Sequence, residues 1–276
     1  MQRTPFWFEQ RRNKITASNV GACLGLVSYV SRQKAYERAL GSGGGESQAK
    51  EEVNPACAYG IENEPVAIRA YESVTQNKVV EAPFVIHSEI DWLGASPDGY
   101  IGETGLLEIK CPYYSRTPHK NIPLHYYLQI IVQLECCGRS YCDFYSWTPG
   151  EANLIKVKAD PAFFKWLYFT HLTTLYDAIR TKAGNFPTLR NRDELKMRIA
   201  QSMQTHIVNA QPSLCFPAPE PDPFTSSNDE EIDGAIDVCS STAMAYVPAS
   251  DLKRKSPQWV SHGGTAEPPS KSARFE

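Results

Sequence analysis

The chain has 276 residues, with 28 Lys+Arg against 31 Asp+Glu and a formal net charge of −3. Hydrophobic residues make up 42% of it and aromatic residues 11%, which is enough to bury a core and excludes a chain that is disordered throughout. We find no apolar run of about 18 residues and no secretory signal, so the sequence predicts an intracellular protein without a membrane span, and does not distinguish nucleus from cytoplasm.

Charge is spread unevenly along the chain. Residues 208–276 carry five Lys+Arg against ten Asp+Glu and hold nine of the 20 prolines, whereas residues 1–207 carry 23 Lys+Arg against 21 Asp+Glu. The C-terminal segment shows no helical or strand period and cannot bury enough apolar surface to offset its ordering entropy. We therefore expect one folded domain over 1–207 and a disordered tail over 208–276, and the acidic total does not exclude a nucleic-acid partner.

The N-terminal part of the chain has the pattern of helices. Three are predicted, at 16–24, 31–40 and 55–75. We expect Ser31 to cap the second helix and Asn54 to cap the third, because their side chains accept hydrogen bonds from free N–H groups. The glycine-rich segment 41–45 lacks the lysine of a phosphate-binding loop, so we interpret it as a flexible connector.

Beyond residue 77 the pattern changes from a helical period to alternation. Strands are predicted at 78–87, 92–95, 99–101, 106–110, 141–147 and 154–158. A helix over 124–137 is expected to interrupt them, and a last long helix is expected to start after Asp160 and to end at Gly184. The order predicts an α/β (α+β) domain with a central mixed β-sheet flanked by helices.

The residues that indicate chemistry lie in the strand region. Asp98 is enclosed in a Ser-Pro-Asp-Gly turn. Side chains alternate along a strand, so Glu108 and Lys110 share one face of it, roughly 6–7 Å apart. Carboxylate oxygens suit Mg²⁺ or Mn²⁺, and the Ile109 carbonyl could add a ligand. A lysine beside them can hold a water and stabilise charge on a phosphate.

Simpler interpretations compete with a functional one at each position. A Glu-x-Lys pair on a half-buried strand is often an exposed ion pair. Carboxylates early in a helix, such as Glu62, are favoured by the helix dipole, although Glu62 could also join a metal site. Gln129 and Gln133, four residues apart on a helix, share a face that either meets solvent or orients a water or phosphate. The basic run 11–14 is either solvated or binds a phosphate at the following helix.

Six motifs in fixed order, between about residues 10 and 150, carry a family resemblance. They are Lys14-Ile15-Thr16-Ala17-Ser18, Gly60-x-Glu62-x-Glu64-Pro65 with Tyr71 after it, Gly94-Ala95-Ser96-Pro97-Asp98-Gly99, Gly105-Leu106-Leu107-Glu108-Ile109-Lys110-Cys111-Pro112, Tyr127-x-Gln129-x-x-x-Gln133, and Gly138-x-x-x-Cys142-Asp143-Phe144. This set resembles the YqaJ-like viral recombinase family, of the lambda-exonuclease type, within the PD-(D/E)xK nuclease superfamily.

The resemblance implies a restriction-endonuclease-like sheet and a deoxyribonuclease that uses one or two Mg²⁺ or Mn²⁺ ions. Its substrate would be the ends of linear double-stranded DNA, degraded 5′ to 3′ for recombination, with a single-strand annealing protein as a partner. By the same resemblance, Asp98, Glu108 and the Ile109 carbonyl would bind the metal, and Lys110 would be catalytic. Glu62 would be the carboxylate of the site that comes from a helix, for a second metal or a bridging water, and Gln129 would be the glutamine of the site. The residues implied to bind DNA or the 5′-phosphate are Arg11, Ser18 and Gln133.

Other functions stay open on the sequence alone. The chain could be an endonuclease or an RNA-cutting nuclease of the same superfamily, or a nucleic-acid binding module without catalysis, although the site carboxylates and the lysine are all present. The tail could dock a partner, and residues 253–257 could act as a nuclear-localisation signal. The sequence does not decide between a monomer and a trimer.

Overall fold

A computed structural model of the chain describes residues 2, 4–39, 54–181 and 191–215; at 38 and 209–215 the description covers the backbone alone. The predicted connector at 41–45, the predicted helix end at Gly184 and residues 216–276 lie outside the described residues. In the part of the chain that is described, no helix is long and apolar enough to span a bilayer.

The described residues form eight α-helices. They are α1 (Pro5–Arg11), α2 (Ala17–Cys23), α3 (Arg32–Ala39), α4 (Pro55–Thr75), α5 (Leu124–Cys137), α6 (Pro161–Leu167), α7 (Thr173–Arg180) and α8 (Arg192–His206). A π-helical turn over Tyr168–Leu172 joins α6 to α7. The side chain of Asn54 accepts a hydrogen bond from the N–H of Ala56, as expected for a cap, and α5 ends at Gly138 in the left-handed region.

Nine strands are described. They are β1 (Ile15–Thr16), β2 (Val79–Val80), β3 (Val85–Ile86), β4 (Leu93–Ala95), β5 (Gly99–Ile101), β6 (Gly105–Lys110), β7 (Tyr141–Thr148), β8 (Glu151–Lys158) and β9 (Ile207–Cys215). Six of them form a sheet in the order β2-β5-β6-β7-β8-β9, in which only β6 and β7 run parallel. The other three form a small sheet in the order β1-β4-β3. The prediction of a mixed sheet flanked by helices is confirmed.

The alternation predicted for β6 separates two hydrophobic clusters. Leu107 and Ile109 pack with Tyr71 of α4 in one cluster, while Leu106 packs with α5 residues such as Ile130 in the larger cluster. Helix α5 is the crossover between the parallel strands β6 and β7, as a parallel pair requires. Glu108 and Lys110 share the face of Leu106, so they project toward α5.

The structure differs from the predicted elements in five places. The predicted strand at 78–87 is two short strands, β2 and β3, which belong to different sheets. Helices α1 and α8 were not predicted, although Thr4 caps α1 and Pro5 opens it. The predicted long helix after Asp160 is interrupted by the π-helical turn. Strand β9 continues past the expected domain boundary at residue 207 and pairs with β8 as far as Cys215. Pro212 obscured this strand in the sequence, but β9 forms the edge of the sheet, where a missing N–H is tolerated.

Candidate active site

The Glu108 carboxylate is the most constrained group of the site. Its side chain is 2% exposed, and three donors surround it. Lys110 Nζ lies 2.5 Å and Gln129 Nε2 lies 2.7 Å from Oε1, while Gln133 Nε2 lies 2.7 Å from Oε2. A buried carboxylate is stable only when its oxygens accept such bonds, so both glutamines hold Glu108 in one orientation.

This arrangement settles two alternatives. Glu108 and Lys110 are buried, so the interpretation as an exposed ion pair is wrong. Gln129 and Gln133 are buried as well, so they do not form a solvent-facing stripe. Gln133 is fully buried against Glu108, and this placement does not agree with the predicted contact between Gln133 and DNA.

Asp98 is tied to the same strand through the backbone. Its Oδ2 accepts a 2.6 Å hydrogen bond from the Ile109 N–H, and its own N–H donates to the Leu107 carbonyl at 3.1 Å. The predicted convergence of Asp98 with Glu108 and Lys110 is therefore present. Burial, followed by the charges of Glu108 and Glu64, raises the pKa of Asp98 well above its ordinary value, and Lys110 opposes this only in part.

Helix α4 supplies a third carboxylate, at a position other than the predicted one. Glu64 lines a cavity of about 360 Å³ that also contains Asp98; its lining residues are Gln2, Glu64, Ile68, Val79, Glu81 and Asp98. Glu62, which we predicted for this role, is exposed and lies close enough to Tyr59 to influence the pKa of that phenol. The structure thus brings Glu64 toward Asp98, and the helical spacing of 3.6 residues turns Glu62 to another side.

Lys110 lies among aromatic rings. Its ammonium group stands 4.6 Å from the centre of the Tyr126 ring. Burial and, to a smaller extent, the charge of Lys110 lower the pKa of His119 to about 4, and burial and Lys110 do the same for His125. Both histidines are therefore neutral at pH 7, and Lys110 carries the positive charge on this side of the site.

A second polar pocket surrounds Arg11 at the start of α2. The guanidinium of Arg11 lies 3.4 Å from Ser18 Oγ and 3.5 Å from Thr16 Oγ1, and it stacks 4.1 Å from the Trp7 ring. Burial lowers the pKa of Arg11 to about 10, so it stays charged at pH 7. No acidic side chain among the described residues pairs with it.

Arg11 and Ser18, both predicted to bind DNA or a 5′-phosphate, thus lie next to each other in the structure. The neighbouring Arg12 is exposed and pairs with Glu9 at 3.1 Å, so it is the solvated member of the basic run. Trp7 also connects this pocket to the carboxylates, because its Nε1 donates a 2.8 Å hydrogen bond to Ser96, two residues before Asp98. The sequence analysis did not identify Trp7 as a residue of this pocket, because it did not predict α1. The spacing of four residues between Trp7 and Arg11, about one helical turn, is the signal that could have shown it.

The donor set suits a hard divalent cation. Among the described residues, no group of three or more His, Cys, Asp or Glu side chains is close enough to form a complete metal cage. Mg²⁺ is, however, commonly bound by only one or two carboxylates, and water molecules complete its coordination. Burial, and then the neighbouring charges of Glu108 and Glu64, raise the pKa of Asp98, and a bound cation would offset this negative charge, so the residues fit the ion.

Comparison with known proteins finds one sequence family and several similar solved structures. Residues 6–140 match the sequence model of the YqaJ-like viral recombinase domain. A solved structure of LHK-Exo in complex with dAMP is 27% identical, with a TM-score of 0.50 over 73% of this chain and 97% of that chain. A structure of the same alkaline exonuclease, from Laribacter hongkongensis, is 27% identical with a TM-score of 0.48 at the same coverage. No curated protein gives a significant match.

Five of the six motifs lie entirely within residues 6–140. The sixth begins inside this range, at Gly138, and ends just beyond it. The side chains that hold and surround Glu108 lie within the same range. Residues 6–140 of this chain therefore match the YqaJ-like viral recombinase domain family.

Proposed function

We propose that this protein is a metal-dependent deoxyribonuclease that removes nucleotides from the ends of linear double-stranded DNA, in the 5′ to 3′ direction. The observation that carries the proposal is the buried Glu108 carboxylate, fixed by Lys110, Gln129 and Gln133 beside Asp98. The similar LHK-Exo is an alkaline exonuclease and was solved with the nucleotide dAMP, which supports a nucleic-acid substrate.

Asp98, Glu108 and the Ile109 carbonyl would hold the cation in this proposal. A bound Mg²⁺ or Mn²⁺ supplies Lewis-acid stabilisation of phosphate charge and lowers the pKa of a water. The glutamines keep Glu108 in one orientation, so that its oxygens need not reorganise during the reaction. Lys110, whose Nζ lies 2.5 Å from Glu108, would hold a water or a phosphate oxygen next to the carboxylates.

The Arg11 pocket would bind the terminal 5′-phosphate. A charged guanidinium with two hydroxyl groups beside it, and with no acidic partner among the described residues, suits an anion. Its connection through Trp7 to Ser96 would set the distance between a DNA end held there and Asp98. A phosphate held there would select DNA ends over internal positions and would favour a 5′ start.

The experiment is digestion of a duplex labelled at one 5′ or one 3′ end, with and without a 5′-phosphate, in Mg²⁺ or in EDTA. We expect Mg²⁺-dependent mononucleotide release from the 5′ end, stimulated by the 5′-phosphate. Asp98→Asn, Glu108→Gln and Lys110→Met should each abolish it in protein that keeps the wild-type circular dichroism spectrum. Cleavage of a covalently closed circle, cleavage of RNA at a similar rate, or activity in these variants would contradict the proposal.

A further inference from the structure

Three tyrosines and an arginine form an aromatic cluster between α4 and the segment that follows β6. Arg116 Cζ lies 4.8 Å from the ring centre of Tyr59 and 4.7 Å from that of Tyr113. The rings of Tyr59 and Tyr113 are 5.5 Å apart, and Tyr114 meets Tyr113 edge-on at 5.0 Å. We call Tyr59, Tyr113, Tyr114 and Arg116 the tyrosine–arginine cluster.

The position of the cluster connects it to the catalytic strand and to α4. Arg116 stands six residues beyond Lys110, in the segment that leaves the end of β6. Tyr59 lies on α4, in the turn before Glu62. Burial raises the pKa of its phenol, and the charges of Cys111 and Glu62 raise it further. Cys111 directly follows Lys110, so the cluster lies at the end of β6 at which Lys110 stands.

The outer members of the cluster face solvent. Tyr114 is 41% exposed, and Arg116 is exposed as well. Arg116 has a φ of +49°, a left-handed backbone conformation that residues other than glycine rarely adopt. The Ser115 hydroxyl donates a hydrogen bond to the Thr117 carbonyl across this turn. Within the described part of the chain no carboxylate pairs with Arg116. A strained backbone thus presents an unneutralised guanidinium and an aromatic ring at the surface.

A purely structural role, in which the cluster attaches the segment after β6 to α4, does not explain all four residues. Contacts of Arg116 with Tyr59 and Tyr113 would serve that purpose, but Tyr114 touches only the outside of the group. A second arginine–tyrosine pair offers a contrast: Arg139 stacks 4.4 Å from Tyr100 and also donates to the Gly102 carbonyl, at the opposite end of β6. That pair fastens the turn between β5 and β6.

We propose that Tyr113, Tyr114 and Arg116 form a stacking platform for an unpaired base of the DNA strand next to the reacting phosphate. This inference rests on the proposed DNA substrate and adds a contact to the base itself. Aromatic rings and guanidinium planes stack on any base, whatever its sequence, and an exposed cation next to them attracts the phosphate chain. Such a platform would hold a frayed end without sequence preference.

The test measures binding of the full-length protein to a short single-stranded oligonucleotide in EDTA, where no digestion occurs. One oligonucleotide carries 2-aminopurine at its centre, and a matched one carries three abasic sites there. We expect the wild type to quench 2-aminopurine fluorescence and to bind the intact strand between about 5-fold and about 100-fold more tightly than the abasic strand. Arg116→Ala and Tyr114→Ala should lose most of this difference.

Two matched variants separate stacking from charge and from folding. Arg139→Ala removes an equal charge and an equal arginine–tyrosine contact, and should keep the wild-type preference for intact DNA. Arg116→Lys keeps the charge but loses the planar group, and should reduce the preference while keeping the affinity for the abasic strand. Equal losses on intact and abasic strands, an unchanged preference in Arg116→Ala, or the same effect from Arg139→Ala would overturn the platform.

Digestion assays on the same proteins distinguish this inference from the proposed function. Wild-type digestion of duplex DNA, combined with unaltered base preference in all variants, overturns the platform and leaves the nuclease intact. Failure of the wild type to digest DNA overturns the nuclease, whereas base-dependent quenching in EDTA would still support the platform.

Discussion

Gln133 and Glu108 form a hydrogen bond of 2.7 Å in which a fully buried amide holds a buried carboxylate. Gln129, one helical turn earlier on α5, holds the other oxygen at the same distance. The crossover helix between the two parallel strands thus carries the groups that orient the acid of the central strand. A site built on a helix and a strand can be held more rigidly than one built on loops.

Replacing Gln133 with Leu is the first test of this relationship. The change leaves one oxygen of Glu108 without its donor, so we expect a 10- to 100-fold loss of kcat, as is common for groups that orient a metal-binding acid. KM for DNA should change little, because Gln133 is buried and does not contact solvent. Steady-state digestion at several Mg²⁺ concentrations measures both. Gln201→Leu, at an exposed site on α8, is the control and should leave kcat unaltered.

Glu62 and Glu64 form a matched pair that distinguishes the resemblance from the geometry. The family motif assigns the helix carboxylate to Glu62, whereas the structure brings Glu64 to the cavity of Asp98. On the structure we expect Glu64→Gln to raise the Mg²⁺ concentration for half-maximal digestion by 10-fold or more, because it removes one negative charge from the site. Glu62→Gln should shift it less than 3-fold. The reverse order would restore the assignment to Glu62.

Apolar periodicity and the residues that end helices predicted most of the helices and strands around the candidate site. The boundaries of α5 follow from a helical apolar period that stops at Gly138, and the faces of β6 follow from alternation, so Glu108 and Lys110 could be assigned to one side. The family resemblance is confirmed by the match over residues 6–140. The predicted metal ion, polarity and DNA contacts stay predictions that the experiments above address.

Contacts between distant segments could not be predicted in the same way. The burial of Gln133 depends on the packing of α5 against β6, and spacing along one helix cannot show which neighbour covers it. The choice of Glu64 over Glu62 depends on the rotation of α4 about its axis. The π-helical turn after α6 could not be predicted from the apolar pattern either. Phe163 and Leu167, one helical turn apart, are both buried, as they would be in an uninterrupted α-helix.

Arg11 and Arg12 give the third test, on selection of the 5′-phosphate. Arg11→Ala should abolish the preference for phosphorylated over unphosphorylated ends in kcat/KM, a loss of about 10- to 100-fold, since a charge-assisted contact is removed. Arg12→Ala should keep the preference, because Arg12 is exposed and paired with Glu9. Retained preference in the first variant, or its loss in the second, would place the phosphate elsewhere.

The buried histidines predict a pH dependence of stability. The pKa of His119 and of His125 is lowered to about 4 in the folded chain, below its value of about 6.5 when unfolded. Between these values the unfolded state binds more protons, so the free energy of unfolding should fall as pH decreases from about 6.5 toward 4. Urea unfolding at pH 7.5 and pH 5 measures this. His119→Gln with His125→Gln should flatten the dependence; an equally steep loss in that double variant would assign it to other groups.

The last prediction concerns the attachment of α4 to the sheet. The Tyr71 hydroxyl donates a 2.6 Å hydrogen bond to the buried Asp143 of β7, whose other oxygen lies 2.5 Å from Lys156 Nζ. Tyr71→Phe removes one of these donors and leaves part of a buried carboxylate unsatisfied, so the free energy of unfolding should drop by about 1.5–3 kcal/mol in urea denaturation. Tyr114→Phe, at an exposed ring, should change it by less than about 0.5 kcal/mol. Equal effects in the two variants would show that the contact with Asp143 adds no stability, and that apolar packing alone holds α4, and with it Glu64, against the sheet.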